Sequence, residues 1–156
     1  MIIIVDNVFN PKELEEYKKF IKSTKIHRWY HKAQIDKYST KLIEIIDKYF
    51  NTLKVKGYEF WLHNNTRPTE GWHYDKDEYS YETNKLLRYP LCSCIFYLEV
   101  ENLKGGQLNL ENEVLITPKE NRIVMFNQGI HHYVEDFTGT RFSININPWE
   151  RKVMGL

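Results

Sequence analysis

The sequence predicts a mainly β protein of the α+β type: a jelly roll, in the form of a double-stranded β-helix, with N-terminal helices packed on one of its sheets. Three observations carry that expectation. Helical periodicity is confined to the first third of the chain. From Tyr58 onward the texture becomes short alternating or apolar runs divided by Gly, Pro and Asn. Finally, 156 residues with 42% hydrophobic content are enough for a single core, and neither a repeat nor a linker interrupts them. Helices first and many strands afterwards favour two packed sheets buttressed by helices. The expected organisation is one domain over 1–156, with a helical part at about 10–52 and a jelly-roll core at about 57–149.

In chain order, Met1-Ile2-Ile3-Ile4-Val5 is too short for a signal sequence and has no basic residues before it, so it reads as a buried first strand. Asn10-Pro11 starts a helix, Asn as N-cap and Pro at the first helical position, and Leu14, Tyr17, Phe20 and Ile21 share a face. A second helix spans Ser39 to Phe50 with Leu42, Ile45, Ile46 and Tyr49 inward. Strands are expected at Tyr58–His63, Pro90–Val100, Gly106–Leu110, Val114–Ile116, Asn121–Asn127 and Arg141–Asn147. Gly105-Gly106 reads as a tight turn with a structural role.

A net charge of +1, from 22 basic and 21 acidic residues, gives no global electrostatic drive toward nucleic acid or a membrane. A cytoplasmic location is the default expectation. Cys92 and Cys94 alternate on one strand, too constrained for an ordinary mutual disulfide, and are expected to be reduced core residues. A metal pair would want Cys-x-x-Cys spacing and further ligands, which do not appear nearby.

The chemistry is concentrated in His73-Tyr74-Asp75, His132 and Arg141. A histidine and a carboxylate two apart on an extended segment point to one face, and Trp72 and Tyr74 then point to the other. A second histidine completes a facial set suited to non-haem Fe(II). His131 and His132 are adjacent, so the second histidine is ambiguous at this point; if it is His132, Val134 shares its face. Alternation along Arg141–Asn147 sends Phe142, Ile144 and Ile146 one way and Arg141, Ser143, Asn145 and Asn147 the other. If that polar face looks into the barrel, the guanidinium needs a counter-charge, which a bound dicarboxylate would supply. On the neighbouring strand Cys94, Phe96 and Leu98 face the helices, while Ile95 and Tyr97 face the barrel. Tyr97 is there either a core aromatic or a hydrogen-bond donor to the same carboxylate.

Read together, Trp72-His73-Tyr74-Asp75-Lys76-Asp77-Glu78, Ser93–Leu98, Gly105–Leu110, Pro118–Phe126, His132-Tyr133-Val134 and Gly139-Thr140-Arg141-Phe142-Ser143 resemble the Fe(II)/2-oxoglutarate dioxygenase superfamily, in its small prolyl-hydroxylase-like bacterial and phage branch. The resemblance covers about Tyr58 to Trp149. It implies His73, Asp75 and His132 as iron ligands and Arg141 as the anchor of the 2-oxoglutarate 5-carboxylate, with Tyr97 assisting and Ser143 and Asn145 as further candidates. It also implies O2 as oxidant, and succinate and CO2 as products of 2-oxoglutarate. Asp75 stands where related halogenases carry a small residue, so hydroxylation is expected over halogenation.

The expected substrate is a peptidyl side chain, prolyl-type first because of the branch, with a small metabolite as an alternative. A nucleic-acid demethylase would call for a basic stripe with stacking aromatics, which the mixed charge after Asp75 does not favour. A catalytically silent jelly-roll binding module would have lost a ligand or the arginine, and this chain keeps all four. The segment between Asp75 and Tyr97 reads either as a lid or substrate loop, with Asp77, Glu78, Tyr79, Tyr81 and Arg88 as candidate contacts, or as a solvated loop, and His63 reads either as a residue of the pocket wall or as a solvated strand end.

Overall fold

The computed structural model describes residues 1–68 and 70–156. Its framework is a six-stranded antiparallel sheet, ordered β1-β7-β4-β9-β3-β2, facing a three-stranded sheet, β6-β5-β8. The large sheet consists of β1 (Ile2–Asp6), β2 (Trp29–His31), β3 (Gly57–Asn64), β4 (Cys92–Gly105), β7 (Arg122–Asn127) and β9 (Phe137–Trp149); the small one of β5 (Leu108–Leu110), β6 (Val114–Ile116) and β8 (His132–Val134). The helices are α1 (Pro11–Ser23), α2 (Lys37–Tyr49) and α3 (Glu78–Asn84), with a 3-10 turn at Lys32–Gln34. This is the expected jelly roll with helices on one sheet.

Strand alternation builds two cores. Phe96, Leu98, Ile123, Met125, Ile144 and Ile146 leave the large sheet on the helix side and meet Leu14, Tyr17, Ile21, Leu42, Ile43 and Ile46. Ile95, Tyr97, Val124 and Phe126 leave the same strands on the opposite side and meet Leu108, Leu110 and Ile116 of the small sheet. The expected division of β4 and β9 into helix-facing and barrel-facing positions is what the chain adopts. Cys92 and Cys94 are buried, free thiols 3.6 Å apart on the helix side.

Helix α1 starts as its sequence indicates: Glu13 donates its N–H to the Asn10 side chain (2.9 Å) and its carboxylate accepts from the Asn10 N–H (3.1 Å), a reciprocal capping box behind Pro11. Helix α2 begins two residues before the expected start, because Asp36 accepts from the N–H groups of Tyr38 and Ser39. Its inward face is Leu42, Ile43 and Ile46, one position round from the expected stripe, and Tyr49 is left 44% exposed.

Four expectations need correction. The first strand is an edge strand paired with β7, and its residues are exposed or half-buried rather than buried. β4 runs on past Val100 to Gly105 and β9 starts at Phe137, before Arg141, and ends at Trp149, the pair carried through two register shifts, and the sequence reading missed β2. The segment after Asp75 is not a free loop. Asp77 caps α3 through Ser80 N–H (2.9 Å), and its other oxygen accepts from the Met154 N–H (3.1 Å), which fastens the helix to the last residues of the chain. Among the described residues no helix is long and apolar enough to cross a membrane.

Candidate metal and co-substrate site

The residues singled out from the sequence meet where the two sheets face each other. His73 and His132 are joined by a single antiparallel bridge, each donating its backbone N–H to the other's carbonyl at 2.9 Å. The bridge adds one residue to the edge of β8. It also sets the two imidazoles side by side, with ring centroids 4.4 Å apart. One donor atom from each of His73, Asp75 and His132 lies within 4.8 Å of the others. Neighbours in sequence alternate, so His131 is turned away and packs against Tyr74 (4.5 Å) and Trp72 (5.3 Å).

Each of the three side chains is oriented by a hydrogen bond from outside the cluster. His73 Nδ1 lies 2.8 Å from the Gly71 carbonyl and His132 Nδ1 lies 2.9 Å from the Ile130 carbonyl. A carbonyl only accepts, so both Nδ1 atoms carry the proton and both Nε2 lone pairs face the cluster. Burial holds the His132 pKa below its ordinary value, against the pull of Asp75, which favours the neutral ring. Asp75, 7% exposed, turns Oδ1 toward His132 Nε2 (3.8 Å), and its Oδ2 accepts from Asn147 Nδ2 (3.2 Å). Glu70, exposed and unanticipated, brings a carboxylate oxygen to 3.4 Å from His73 Nε2.

Arg141 lies further along β9, 4% exposed. Its Nε donates to the Gly106 carbonyl (3.3 Å) and its Nη1 to Ser143 Oγ (3.1 Å); the guanidinium faces the rings of Tyr97 at 5.2 Å and Phe137 at 5.9 Å. Among the described residues no carboxylate pairs with it. A buried guanidinium held only by neutral acceptors is expensive unless a counter-charge arrives. Among the described residues the Tyr97 hydroxyl beside it is buried without a hydrogen-bond partner, and burial pushes its pKa up against the opposing effect of Arg141. Gly106, read as purely structural, thus also serves Arg141. A Cβ there would meet Arg141 Cδ at 3.2 Å, on a backbone already at φ +73°.

A cavity of about 520 Å³ joins these parts, with His73, Asp75 and His132 on its wall together with Arg141, Ser143 and Asn145. His63 lines it, the first of its two readings, and burial and Arg141 lower its pKa. Tyr97 stands behind Arg141 rather than on the wall. Of the five candidate contacts after Asp75, Glu78 alone reaches the cavity, ion-paired with Lys76 at 2.8 Å. Asp77 is spent as a cap, Tyr79 packs against Gly155, Tyr81 lies beneath Lys76 and Lys85, and Arg88 points to Met154.

At the mouth, Arg28 lies over the Trp61 ring (4.8 Å) and pairs with Glu59 at 3.2 Å. Glu59 is 2% exposed and also accepts from Trp149 Nε1 (3.2 Å). Burial outweighs both partners and pushes the Glu59 pKa up to about 7. The sequence offered one signal for this group, a carboxylate inside the otherwise aromatic run Tyr58-Glu59-Phe60-Trp61.

Comparison with known proteins places this geometry in context. The family model described as "2OG-Fe(II) oxygenase superfamily" matches residues 60–149. No curated protein sequence matches the chain. Among solved structures, the fold is similar to a prolyl-4-hydroxylase from Pseudomonas putida (15% identity, 97% of this chain and 93% of that one, TM-score 0.64). It is also similar to a viral collagen prolyl hydroxylase from Paramecium Bursaria Chlorella virus-1 solved with 2OG (17% identity, 94% of each chain, TM-score 0.61). A third similar fold is a prolyl hydroxylase from Trichoplax adhaerens in complex with a hypoxia inducible factor peptide fragment (17% identity, 96% of this chain and 83% of that one, TM-score 0.61).

Proposed function

This chain belongs to the 2OG-Fe(II) oxygenase superfamily, and from that premise we propose that it hydroxylates a C–H bond of a peptidyl, prolyl-type side chain, its helices and jelly roll acting as one oxygenase domain. It is a 2-oxoglutarate-dependent dioxygenase that uses Fe(II) and O2. The observation that carries the site assignment is the pairing, in one cavity, of a two-histidine, one-carboxylate cluster with a buried arginine that has no carboxylate partner among the described residues.

The donor set fits the metal. Two imidazole nitrogens and one carboxylate oxygen come together in one cluster, the donor set of the facial site in non-haem Fe(II) oxygenases. His73, Asp75 and His132 would hold the iron, and Arg141, with Ser143 and Asn145 on the same strand face, would hold the co-substrate's distal carboxylate. Bound there, the metal and 2-oxoglutarate supply the oxidising chemistry, in which 2-oxoglutarate goes to succinate and CO2 while a substrate C–H becomes C–OH.

The chain's own contribution is placement. Hydrogen bonds from His73 and His132 to the Gly71 and Ile130 carbonyls fix the ring orientations before metal arrives. Arg141 offers a planar fork, held by Gly106 and Ser143, for bidentate recognition of a carboxylate. The tyrosine behind it presents a hydroxyl with no hydrogen-bond partner among the described residues. Leu62, Trp61 and Tyr74 form apolar walls on the open side, where a substrate side chain would displace water. Charge at the mouth is mixed, Arg28, Arg67 and Lys76 against Glu70 and Glu78, which supports a peptide over the uniform basic stripe of a nucleic-acid groove.

The test is succinate release from Fe(II)-loaded protein with 2-oxoglutarate and O2. Slow turnover alone and faster turnover with proline-containing peptides are expected, because substrate entry completes the oxidising site. Stimulation by oligonucleotides or free amino acids and by no peptide would overturn the substrate class, and no succinate from protein verified to hold iron would overturn the enzyme.

A further inference from the structure

The third ligand of the cluster is oriented by a residue that the reading of the active site does not otherwise use. Asn147 is 1% exposed on β9, six positions beyond Arg141 on the same strand face. Its Oδ1 accepts from the Cys94 backbone N–H at 3.4 Å, and its Nδ2 donates to Asp75 Oδ2 at 3.2 Å. The orientation of the amide is dictated by chemistry: a backbone N–H only donates, so the oxygen must face Cys94 and the NH2 must face the carboxylate. Among the described residues no other side chain or backbone group donates a hydrogen bond to Asp75.

We propose that Asn147 is a positioning residue that holds the Asp75 carboxylate with Oδ2 turned away from the cluster, so that Oδ1 alone is presented to the metal. The inference rests on the assignment of Asp75 as a ligand. It extends the pattern already seen for the histidines, in which each ligand is oriented by a hydrogen bond to its far atom. For Asp75 that bond comes from a strand 72 residues away, so the metal site is tied directly into the centre of the large sheet. The cross-strand partner of Asn147 on β3 is Glu59. The neutral amide therefore lies on the same strand pair as one buried acid while touching another, a place where a third carboxylate would repel both. Without the Nδ2 donor, Oδ2 would be a buried anionic oxygen with no partner, free to swing into the metal's open positions.

The experiment is Co(II) binding to the full chain, wild type against Asn147→Leu, Asn147→Asp and Asn147→Gln, measured by competition with a chromophoric chelator together with the visible Co(II) spectrum and the melting temperature. The leucine variant should lose roughly 10- to 100-fold in Co(II) affinity, as outer-shell partners of metal ligands do, with a changed spectrum as Asp75 alters its mode of binding. Asn147→Asp should lose more, and Asn147→Gln, which keeps an amide donor, should recover part of the loss. Leucine and aspartate variants that melt lower yet bind Co(II) with wild-type affinity and spectrum would reduce Asn147 to a packing residue and overturn the proposal. A wild-type protein that takes up no Co(II) would be a different failure, refuting the metal assignment on which the proposal stands.

Discussion

Replacing Arg141 by leucine should separate the needs of the fold from those of the chemistry, because the two pull in opposite directions at that position. The guanidinium makes two side-chain hydrogen bonds, to Gly106 O and Ser143 Oγ, each worth about 1 kcal/mol net or somewhat more for a charged donor. Against them stands an ionic desolvation penalty of several kcal/mol, which no carboxylate among the described residues offsets. Leucine at this site would pack on the rings of Tyr97 and Phe137. Without ligand the variant should therefore be at least as stable as wild type, by up to about 4 kcal/mol. Binding should move the other way. Loss of a desolvated, bidentate charge pair removes about 2–5 kcal/mol, which is roughly 30- to 4,000-fold in the 2-oxoglutarate dissociation constant. Calorimetric titration of 2-oxoglutarate into Co(II)-loaded protein reads the affinity. Thermal unfolding with and without co-substrate reads the coupling, since ligand at a hundred times Kd stabilises wild type by about 2.7 kcal/mol and should leave the variant nearly unmoved. A variant that binds 2-oxoglutarate within threefold of wild type would refute the anchoring role. One that loses several kcal/mol of stability in the absence of ligand would refute the argument about its unpaired charge.

Two more predictions are independent of that one. His132→Ala should lose at least roughly a hundredfold in Co(II) affinity, more than outer-shell changes usually cost, whereas His131→Ala should bind metal nearly as wild type does; equal losses by titration would show that the bridge to His73 does not select between the adjacent histidines. Glu59→Gln should change how stability depends on pH. From 4.5, the ordinary value, up to about 7, the folded protein keeps a proton that the unfolded chain has released, so wild-type stability falls as pH rises through that window and is level above it. Glutamine removes the slope, so the variant should exceed wild type by about 3 kcal/mol at pH 8 and by little at pH 5; urea denaturation showing the same difference at both pH values would contradict a buried, proton-retaining carboxylate.

What the sequence could reveal was whatever alternates or recurs locally. β4 and β9 are long, half-apolar and period-two, so their two faces were readable residue by residue, and the polar face of β9 led directly to Arg141, Ser143 and Asn145. His73 and Asp75 share a short extended segment, and His132, preferred over His131 partly through the family resemblance, is set beside them by a backbone bridge. What escaped is either short or non-local. β2 is three residues long and has no period to detect. α3 is a seven-residue helix in which Tyr, Ser, Thr and Asn, weak helix formers, outnumber Glu78 and Glu82, and it holds because Asp77 caps one end and the left-handed Lys85 closes the other. Asn147 and Glu59 acquire their roles from partners 72 and 90 residues away; nothing beside Asn147 announces its role, and Glu59 is marked only as a carboxylate inside an aromatic run.

Odd and even positions of β9 serve different masters, and this limits how that strand can change over time. From Arg141 to Asn147 the odd numbers contact the cavity or Asp75, and the even numbers Phe142, Ile144 and Ile146 fill the space under the helices. Substitution can retune either set alone. Deletion or insertion of one residue would transpose them, sending isoleucines to the metal and a guanidinium into the helix layer, so stability and activity would fail together. Directed variation of the substrate preference in this strand should therefore be confined to exchanges that keep the count.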